Sequence, residues 1–150
     1  DNQMLLKYMQ AEMKLYELET KKDATLETLS TVLQNTVYSG YKRYSPYMIQ
    51  AIIAGLSKDN SYKLISFDPS GASIYDHYTA TGSGMMFALG VLQDNYKENM
   101  TESEAIDLAT RAVYSAIRRD SASGEGIVIS VIDKKGYRKV NTKTVSTQLK

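Results

Sequence analysis

The sequence of 150 residues contains no cysteine and only one histidine. Without cysteine it has no disulfides, no thiolate metal ligands and no cysteine nucleophile. One histidine is too few for a typical zinc site. The longest apolar stretches, 48–56 and 85–92, are much shorter than the roughly twenty residues that a membrane-spanning helix needs. We therefore expect a soluble protein that binds no metal and no cofactor and does not enter a membrane.

The composition is that of a globular domain, with 43% hydrophobic and 23% charged residues. No repeat or linker divides the chain, so a single domain over 1–150 is expected. The net charge of +1 is unevenly spread: residues 1–133 carry 12 basic and 17 acidic side chains, a net of −5, and residues 134–150 carry six basic side chains and no acid, a net of +6. Such a basic tail can bind nucleic acid, but it is more often a solvated end or a contact with an acidic neighbour, and we favour these two interpretations.

Helical periodicity dominates the first part of the chain. Residues 1–21 contain no glycine or proline, and apolar side chains recur at helical spacing, which predicts an amphipathic helix. A second helix is expected to begin near Asp23, whose carboxylate would cap the first turn, and to end at Gly40. The next segments predict an antiparallel meander of three strands, at 47–57, 62–67 and 73–81.

The second half predicts two more helices and then two strands. Residues 85–95 are apolar on most sides of a helix, so that helix is expected to be buried. Thr101 and Glu104 have the spacing of a capping box at the start of the following helix. Strands are expected at 127–132 and 137–140, followed by one or two helical turns after Asn141. Paired helices and antiparallel strands place the chain in the α+β class.

Two features could be read as binding sites, and each has a simpler interpretation. His77 lies between Asp76 and Tyr78, where a lone histidine is usually a surface residue. Tyrosines at 38, 41, 44 and 47 flank two basic residues, as in a surface that stacks single-stranded nucleic acid. Pro46 breaks the helix between them, so packing or a subunit interface is favoured over nucleic-acid binding.

Two short motifs flank the predicted helices of the second half. Residues 82–84, Gly-Ser-Gly, would expose backbone amides at a helix start, but they lack the lysine and further glycines of a phosphate loop. Residues 120–124, Asp-Ser-Ala-Ser-Gly, place a carboxylate beside two hydroxyls at a helix end. That segment fits either a proton-transfer network or a helix cap with a local aspartate–arginine pair, and the residues alone favour the cap.

The order of motifs carries a resemblance over essentially the whole chain. The motifs are Asp1-Asn2-Gln3, residues 44–50, residues 67–71, Thr81-Gly82-Ser83-Gly84 and the string 118–124, Arg-Arg-Asp-Ser-Ala-Ser-Gly. Together they resemble the β subunit of the archaeal-type 20S proteasome, a threonine peptidase of the N-terminal nucleophile hydrolase class. The α subunits of that family share the fold but not the last string.

The resemblance implies a fold, an assembly and a set of site residues. The fold would be an αββα sandwich, in which two antiparallel sheets lie between two helix layers. Heptameric rings of α and β subunits would stack as α, β, β, α into a 28-subunit cytoplasmic particle that degrades unfolded polypeptides in its chamber, with no nucleic-acid or membrane partner. Ser83, Asp120 and Ser123 would form the supporting shell of the catalytic centre.

The resemblance also implies that the nucleophile lies outside this sequence. The N-terminal threonine, its activating aspartate and lysine, and the oxyanion glycine would all precede the residue that matches Asp1. The chain would then be the C-terminal three-quarters of a subunit, lacking the first strands and roughly fifty residues, and inactive by itself. The alternatives are a non-catalytic structural β-type subunit and, more distantly, a small nucleic-acid-binding domain.

Overall fold

The computed structural model describes residues 2–144, with side chains described for 2–140. Helices and antiparallel strands alternate in groups, which confirms the α+β class. The elements in chain order are α1 (Asn2–Thr20), α2 (Leu26–Lys42), β1 (Ala51–Leu56), β2 (Tyr62–Phe67), β3 (Ser73–Tyr75), α3 (Met85–Asn95), α4 (Glu102–Arg119), β4 (Gly126–Asp133) and β5 (Gly136–Thr144).

The chain divides into two compact units, Asp1–His77 and Tyr78–Lys150. In the first unit, β1, β2 and β3 form an antiparallel meander in that spatial order, as expected. One face of this sheet packs against α1 and α2 in a core whose buried members are Leu5, Met9, Leu26, Leu33, Val37, Ile49, Ile65 and Phe67. The expected single domain over 1–150 stays a prediction, since each unit is compact in its own right.

In the second unit, α3 packs against α4, and the β4–β5 hairpin covers another side of α4. Side chains of β4 alternate between buried and exposed, as expected for a strand with one covered face. Its buried residues Ile127 and Ile129 meet Ile117 of α4. The capping box at the start of α4 is confirmed, since the Thr101 and Glu104 side chains each accept a hydrogen bond from the other residue's backbone N–H.

The predicted boundaries of α2 are wrong at both ends. Thr25, and not Asp23, caps the helix: its hydroxyl accepts the N–H of Thr28 at 3.3 Å. The helix also continues through Gly40 to Lys42. Glycine is needed at 40 for a different reason, because a Cβ there would lie 2.9 Å from the Ser45 carbonyl oxygen, where the chain turns back against the helix.

Two predictions about strands and tail are also wrong. β3 ends at Tyr75, well before residue 81. The N–H of Asp76 still donates to the Leu64 carbonyl of β2 at 3.3 Å, and the Asp76 carboxylate then accepts the N–H of His77 at 2.7 Å, a local bond of the kind that competes with a strand ladder. Residues 141–144 continue β5 and pair with the start of β4 where helical turns were expected. The rest of that predicted tail lies outside the described residues.

The expected burial of α3 is wrong as well. Only Ala88 is buried along this helix, while Met86 is 68% and Phe87 is 41% exposed. The apolar residues surround the helix, but α3 contacts α4 along one side only.

Candidate functional site

Asp120 lies where α4 ends and the chain turns toward β4. Its backbone N–H donates to the Ala116 carbonyl at 2.8 Å, which closes the last turn of the helix. Its own φ of −102° and ψ of 122° are extended, so the chain leaves the helix axis at this residue. The carboxylate is thereby fixed at the helix end, as the spacing of the sequence motif predicted.

Two serine hydroxyls donate to the same oxygen of the Asp120 carboxylate. The Ser83 hydroxyl lies 2.5 Å and the Ser123 hydroxyl 2.6 Å from Oδ2. The other oxygen, Oδ1, accepts the N–H of Ala122 at 3.3 Å. The structure therefore brings together the three residues that the family resemblance implied, although Ser83 is 37 positions away from Asp120. We call these three residues the Asp120 cluster.

A tight turn and a helix start place the two serines. The N–H of Ser123 donates back to the Asp120 carbonyl at 3.2 Å, which closes the turn. Ser83 precedes α3, where Gly82 adopts a φ of +93° that favours glycine. The N–H of Met85 then donates to the Gly82 carbonyl, which begins the helical turns of α3.

The charge on Asp120 is held by hydroxyl groups. Hydrogen bonds from Ser123 and then Ser83 lower the pKa of Asp120, and desolvation of the carboxylate acts in the opposite direction. Among residues 2–140 no salt bridge involves Asp120. The alternative interpretation of a local aspartate–arginine pair is therefore wrong, although Asp120 does stand at the helix end as that interpretation required.

This arrangement fixes what the two serines can do. Each hydroxyl proton points at Asp120, so each serine oxygen presents its lone pairs to a further donor. A carboxylate with a lowered pKa is a weak base and does not turn serine into a nucleophile. The cluster is therefore suited to accepting N–H bonds from a cationic group and stabilising its charge.

The other candidate residues of the sequence do not join this cluster. His77 is exposed and belongs to the first unit. Tyr38 and Tyr41 are about half exposed and Tyr44 almost fully, whereas Tyr47 packs on the core of the first unit. Among the described residues no group of histidine, aspartate or glutamate has a geometry that would hold a metal ion.

A second serine–carboxylate cluster lies in the first unit and was not predicted. The Ser57 hydroxyl donates to Glu27 Oε1, and the Lys63 ammonium lies 3.5 Å from the same oxygen. We call these three residues the Glu27 cluster. Its members are 30 and 36 positions apart in the chain, so no sequence motif indicates it. Only the pairing of β1 with β2 beside the start of α2 brings them together.

Comparison with known proteins identifies the family of this chain. The profile described as "Proteasome subunit" matches residues 1–132. Over 151 aligned residues the chain is 38% identical to "Proteasome subunit beta" of Thermoplasma acidophilum, covering 100% of this chain and 70% of the relative. It is also 38% identical to the protein of that name from Methanopyrus kandleri, over 99% of this chain and 71% of the relative. It is 41% identical to "Proteasome subunit beta" of Ferroglobus placidus, over 91% of this chain and 64% of the relative.

The chain thus belongs to the proteasome subunit family, and with it to the α+β fold of the N-terminal nucleophile hydrolases. Within that family it is an archaeal-type β subunit of the 20S core. This assignment confirms the resemblance drawn from the sequence motifs. It also makes the chain part of a protein-degrading hydrolase that assembles with other proteasome subunits. None of the helices among the described residues is both long and apolar enough to cross a membrane.

Proposed function

We propose that the complete protein is a threonine endopeptidase, and that the Asp120 cluster supports a nucleophile that these 150 residues do not contain. One observation carries the proposal: two serine hydroxyls converge on a single carboxylate oxygen whose charge no described cation neutralises. A site of this kind stabilises a positive charge that appears and disappears during a reaction.

The chemistry of an N-terminal threonine requires such support. Its hydroxyl is a weak nucleophile and needs a base, and its own α-amine, with a pKa of about 8, lies within reach of one water. The amine takes the hydroxyl proton as the oxygen attacks the peptide carbonyl, and it returns a proton to the leaving amine as the C–N bond breaks. Water then hydrolyses the ester, which restores the threonine.

In this scheme the Asp120 cluster acts on the α-amine. While the amine is protonated, the oxygens of Ser83 and Ser123 accept its N–H bonds, and the negative charge of Asp120 stabilises the ammonium. A lysine and an oxyanion glycine, both implied by the family resemblance to precede Asp1, would complete the centre. The proposal assigns Ser83 and Ser123 the role of proton relays and Asp120 that of the charge partner.

The proposal includes the assembly in which the reaction takes place. Four heptameric rings, stacked as α, β, β, α in the cytoplasm, would enclose the sites so that unfolded polypeptides are cleaved inside. Exposed apolar side chains support contacts with neighbouring subunits, because large apolar patches on a single chain usually mark interfaces. They are Met4, Leu6 and Leu18 on α1 and Met86 and Phe87 on α3.

Asp120→Asn in the complete subunit, assembled with its partners, tests the proposed role. Loss of the negative charge should lower kcat for an unstructured peptide by about 100-fold or more, because the protonated amine is no longer stabilised. Asp107→Asn is the matched control, since it removes a carboxylate from the same helix whose partner is Arg111 at 3.0 Å. It should leave kcat unchanged.

Two outcomes would contradict the proposal. Peptidase activity of the assembled Asp120→Asn particle within about threefold of the parent would show that Asp120 has no role in proton transfer. An intact mass and N-terminal sequence of the native subunit that reveal a first residue other than threonine, in a particle without activity, would favour the structural β-type subunit. The first measurement tests the role of Asp120, and the second distinguishes the enzyme from the scaffold.

A further inference from the structure

The start of α3 and the end of α4 meet at a glycine. Gly84 is buried, and a Cβ added to it would lie 2.8 Å from the Ala116 Cβ, 2.9 Å from the Ser123 hydroxyl oxygen and 3.3 Å from Asp120 Oδ2. Real Cβ atoms essentially never approach other heavy atoms as closely as the first two distances. A side chain at this position would therefore have to displace either the helix or the cluster.

The backbone of Gly84 does not itself require glycine. Its φ of −83° and ψ of 5° are open to any residue. The neighbouring Gly82 presents the opposite case, because its φ is +93° while an added Cβ would meet nothing within 4 Å. The two glycines of the motif thus serve different purposes: Gly82 permits the turn, and Gly84 permits close approach.

We infer that Gly84 is a positioning residue for proteolysis: its lack of a side chain lets Ser83 and Ser123 share one oxygen of Asp120. Ala116 is its counterpart on α4, since its methyl group fills the space that a Gly84 side chain would take. This inference rests on the proposed function of the Asp120 cluster. It adds the packing contact that sets the geometry of that cluster.

The mechanism follows from where the three contacts lie. Ser83 is attached to the start of α3, whereas Asp120 and Ser123 follow α4. An added methyl group at 84 would push the two elements apart or turn the Ser123 hydroxyl away. Either movement lengthens at least one of the bonds to Oδ2, now 2.5 and 2.6 Å. Catalytic groups displaced by about 1 Å can lose as much as 100-fold in rate.

Gly84→Ala in the complete, assembled subunit tests the inference. We expect kcat per assembled particle to fall by about 10-fold or more, with KM within about twofold. The acid limb of the pH profile of kcat should move to lower pH, because a less stabilised ammonium has a lower pKa. A role in folding alone would not move that limb.

The same helix offers a matched control. Gly90→Ala adds the same methyl group to α3 at a position where a Cβ meets nothing within 4 Å. It should leave kcat and the pH profile unchanged. The double variant Gly84→Ala/Ala116→Gly vacates the nearest obstructing atom and should return kcat to within about threefold of the parent. Equal kcat and equal acid limbs for Gly84→Ala and Gly90→Ala would overturn the inference.

Two further comparisons of variants test the inference if Gly84→Ala does not assemble or does not lower the activity. If Gly84→Ala does not assemble, Ala116→Gly is compared with Ala112→Gly, which removes the same buried methyl group one turn earlier in α4. Ala116→Gly should lower kcat about threefold relative to that control, and equal values would overturn the inference. If Asp120→Asn lowers the activity and Gly84→Ala does not, the positioning role of Gly84 is contradicted and the proposed role of the cluster stands. If neither variant lowers the activity, the proposed role of the cluster is contradicted as well.

Discussion

Each of the two units holds a carboxylate that accepts a hydroxyl hydrogen bond from a serine at least 30 positions away in the chain, Glu27 in the first and Asp120 in the second. The two carboxylates differ in what else surrounds them. Glu27 accepts the Ser57 hydroxyl and also faces the Lys63 ammonium, 3.5 Å away. Asp120 accepts two hydroxyls and a backbone N–H and has no salt bridge within the described part of the chain. The Glu27 charge is balanced, and the Asp120 charge is not.

The Glu27 cluster has the features of a contact that stabilises the fold. Glu27 lies in the first turn of α2, where a negative charge suits the helix dipole, while Ser57 follows β1 and Lys63 lies in β2. The cluster therefore joins the helix to the β1–β2 hairpin. Chiefly because of the Ser57 hydrogen bond, the pKa of Glu27 is lowered to about 2.

Similar groups acquire different uses when a fixed cation is present beside one of them and not beside the other. A carboxylate paired with a fixed cation already has its counter-charge, and it contributes to holding two elements together. A carboxylate held only by hydroxyl and amide dipoles has no fixed counter-charge, and we propose that at Asp120 this charge serves a cation that comes and goes. The difference lies in one lysine, and the remaining chemistry of the two clusters is nearly the same.

Matched serine truncations in the two clusters should have the largest and most different effects. Ser123→Ala should lower kcat of the assembled particle by about 10-fold, because one acceptor for the α-amine is lost. Ser57→Ala removes the same hydroxyl from the Glu27 cluster and should lower Tm by about 3 °C, because a buried hydrogen bond is lost. Peptide hydrolysis and thermal unfolding of the same preparations measure both effects.

The activity should depend mainly on Ser123, and the thermal stability mainly on Ser57. Ser57→Ala is expected to leave kcat per assembled particle unchanged, and Ser123→Ala is expected to shift Tm less than Ser57→Ala does. A loss of activity in Ser57→Ala comparable to that in Ser123→Ala would break the distinction between a structural and a catalytic cluster.

A smaller effect concerns the pH dependence of stability. The pKa of Glu27 in the folded protein, about 2, lies below its ordinary value of 4.5. Its stabilising contribution is therefore fully present above pH 4.5 and is lost as the pH falls toward 2. Glu27→Gln should lower Tm at pH 6, and the gap to the parent should narrow steadily between pH 4.5 and pH 3. A gap that is constant over this range would contradict the stabilising role of the ionised Glu27.

Much of the fold follows from local pattern. α1 and α4 could be predicted because periodicity and a capping box act within a few residues. β3 could not be delimited, because the local bond between the Asp76 carboxylate and the His77 N–H competes with strand pairing at residues that otherwise suit a sheet. The exposure of α3 could not be predicted for another reason. A helix that is apolar on most sides indicates that other residues cover it, but the sequence does not show whether those residues belong to the same chain.

One part of the candidate site also follows from the local sequence, and another part does not. Asp120 and Ser123 are three residues apart, so a turn after α4 brings them together and the motif alone suggests it. The contact with Ser83 depends on how closely α3 approaches α4, which in turn depends on Gly84 and Ala116. The sequence pointed to Gly84 only as part of a helix start. Its steric role is visible only when the side chains opposite it are in place.

The most direct test of the account is a structure of the complete subunit in its assembled particle. The account predicts an N-terminal threonine whose α-amine nitrogen lies about 3 Å from the hydroxyl oxygen of Ser83 or Ser123, or reaches one of them through a single water. It also predicts that the Asp120 carboxylate remains without a lysine or arginine partner. An α-amine more than about 10 Å from the cluster, beyond the reach of one water, or a fixed cation from another segment bound to Asp120, would contradict it.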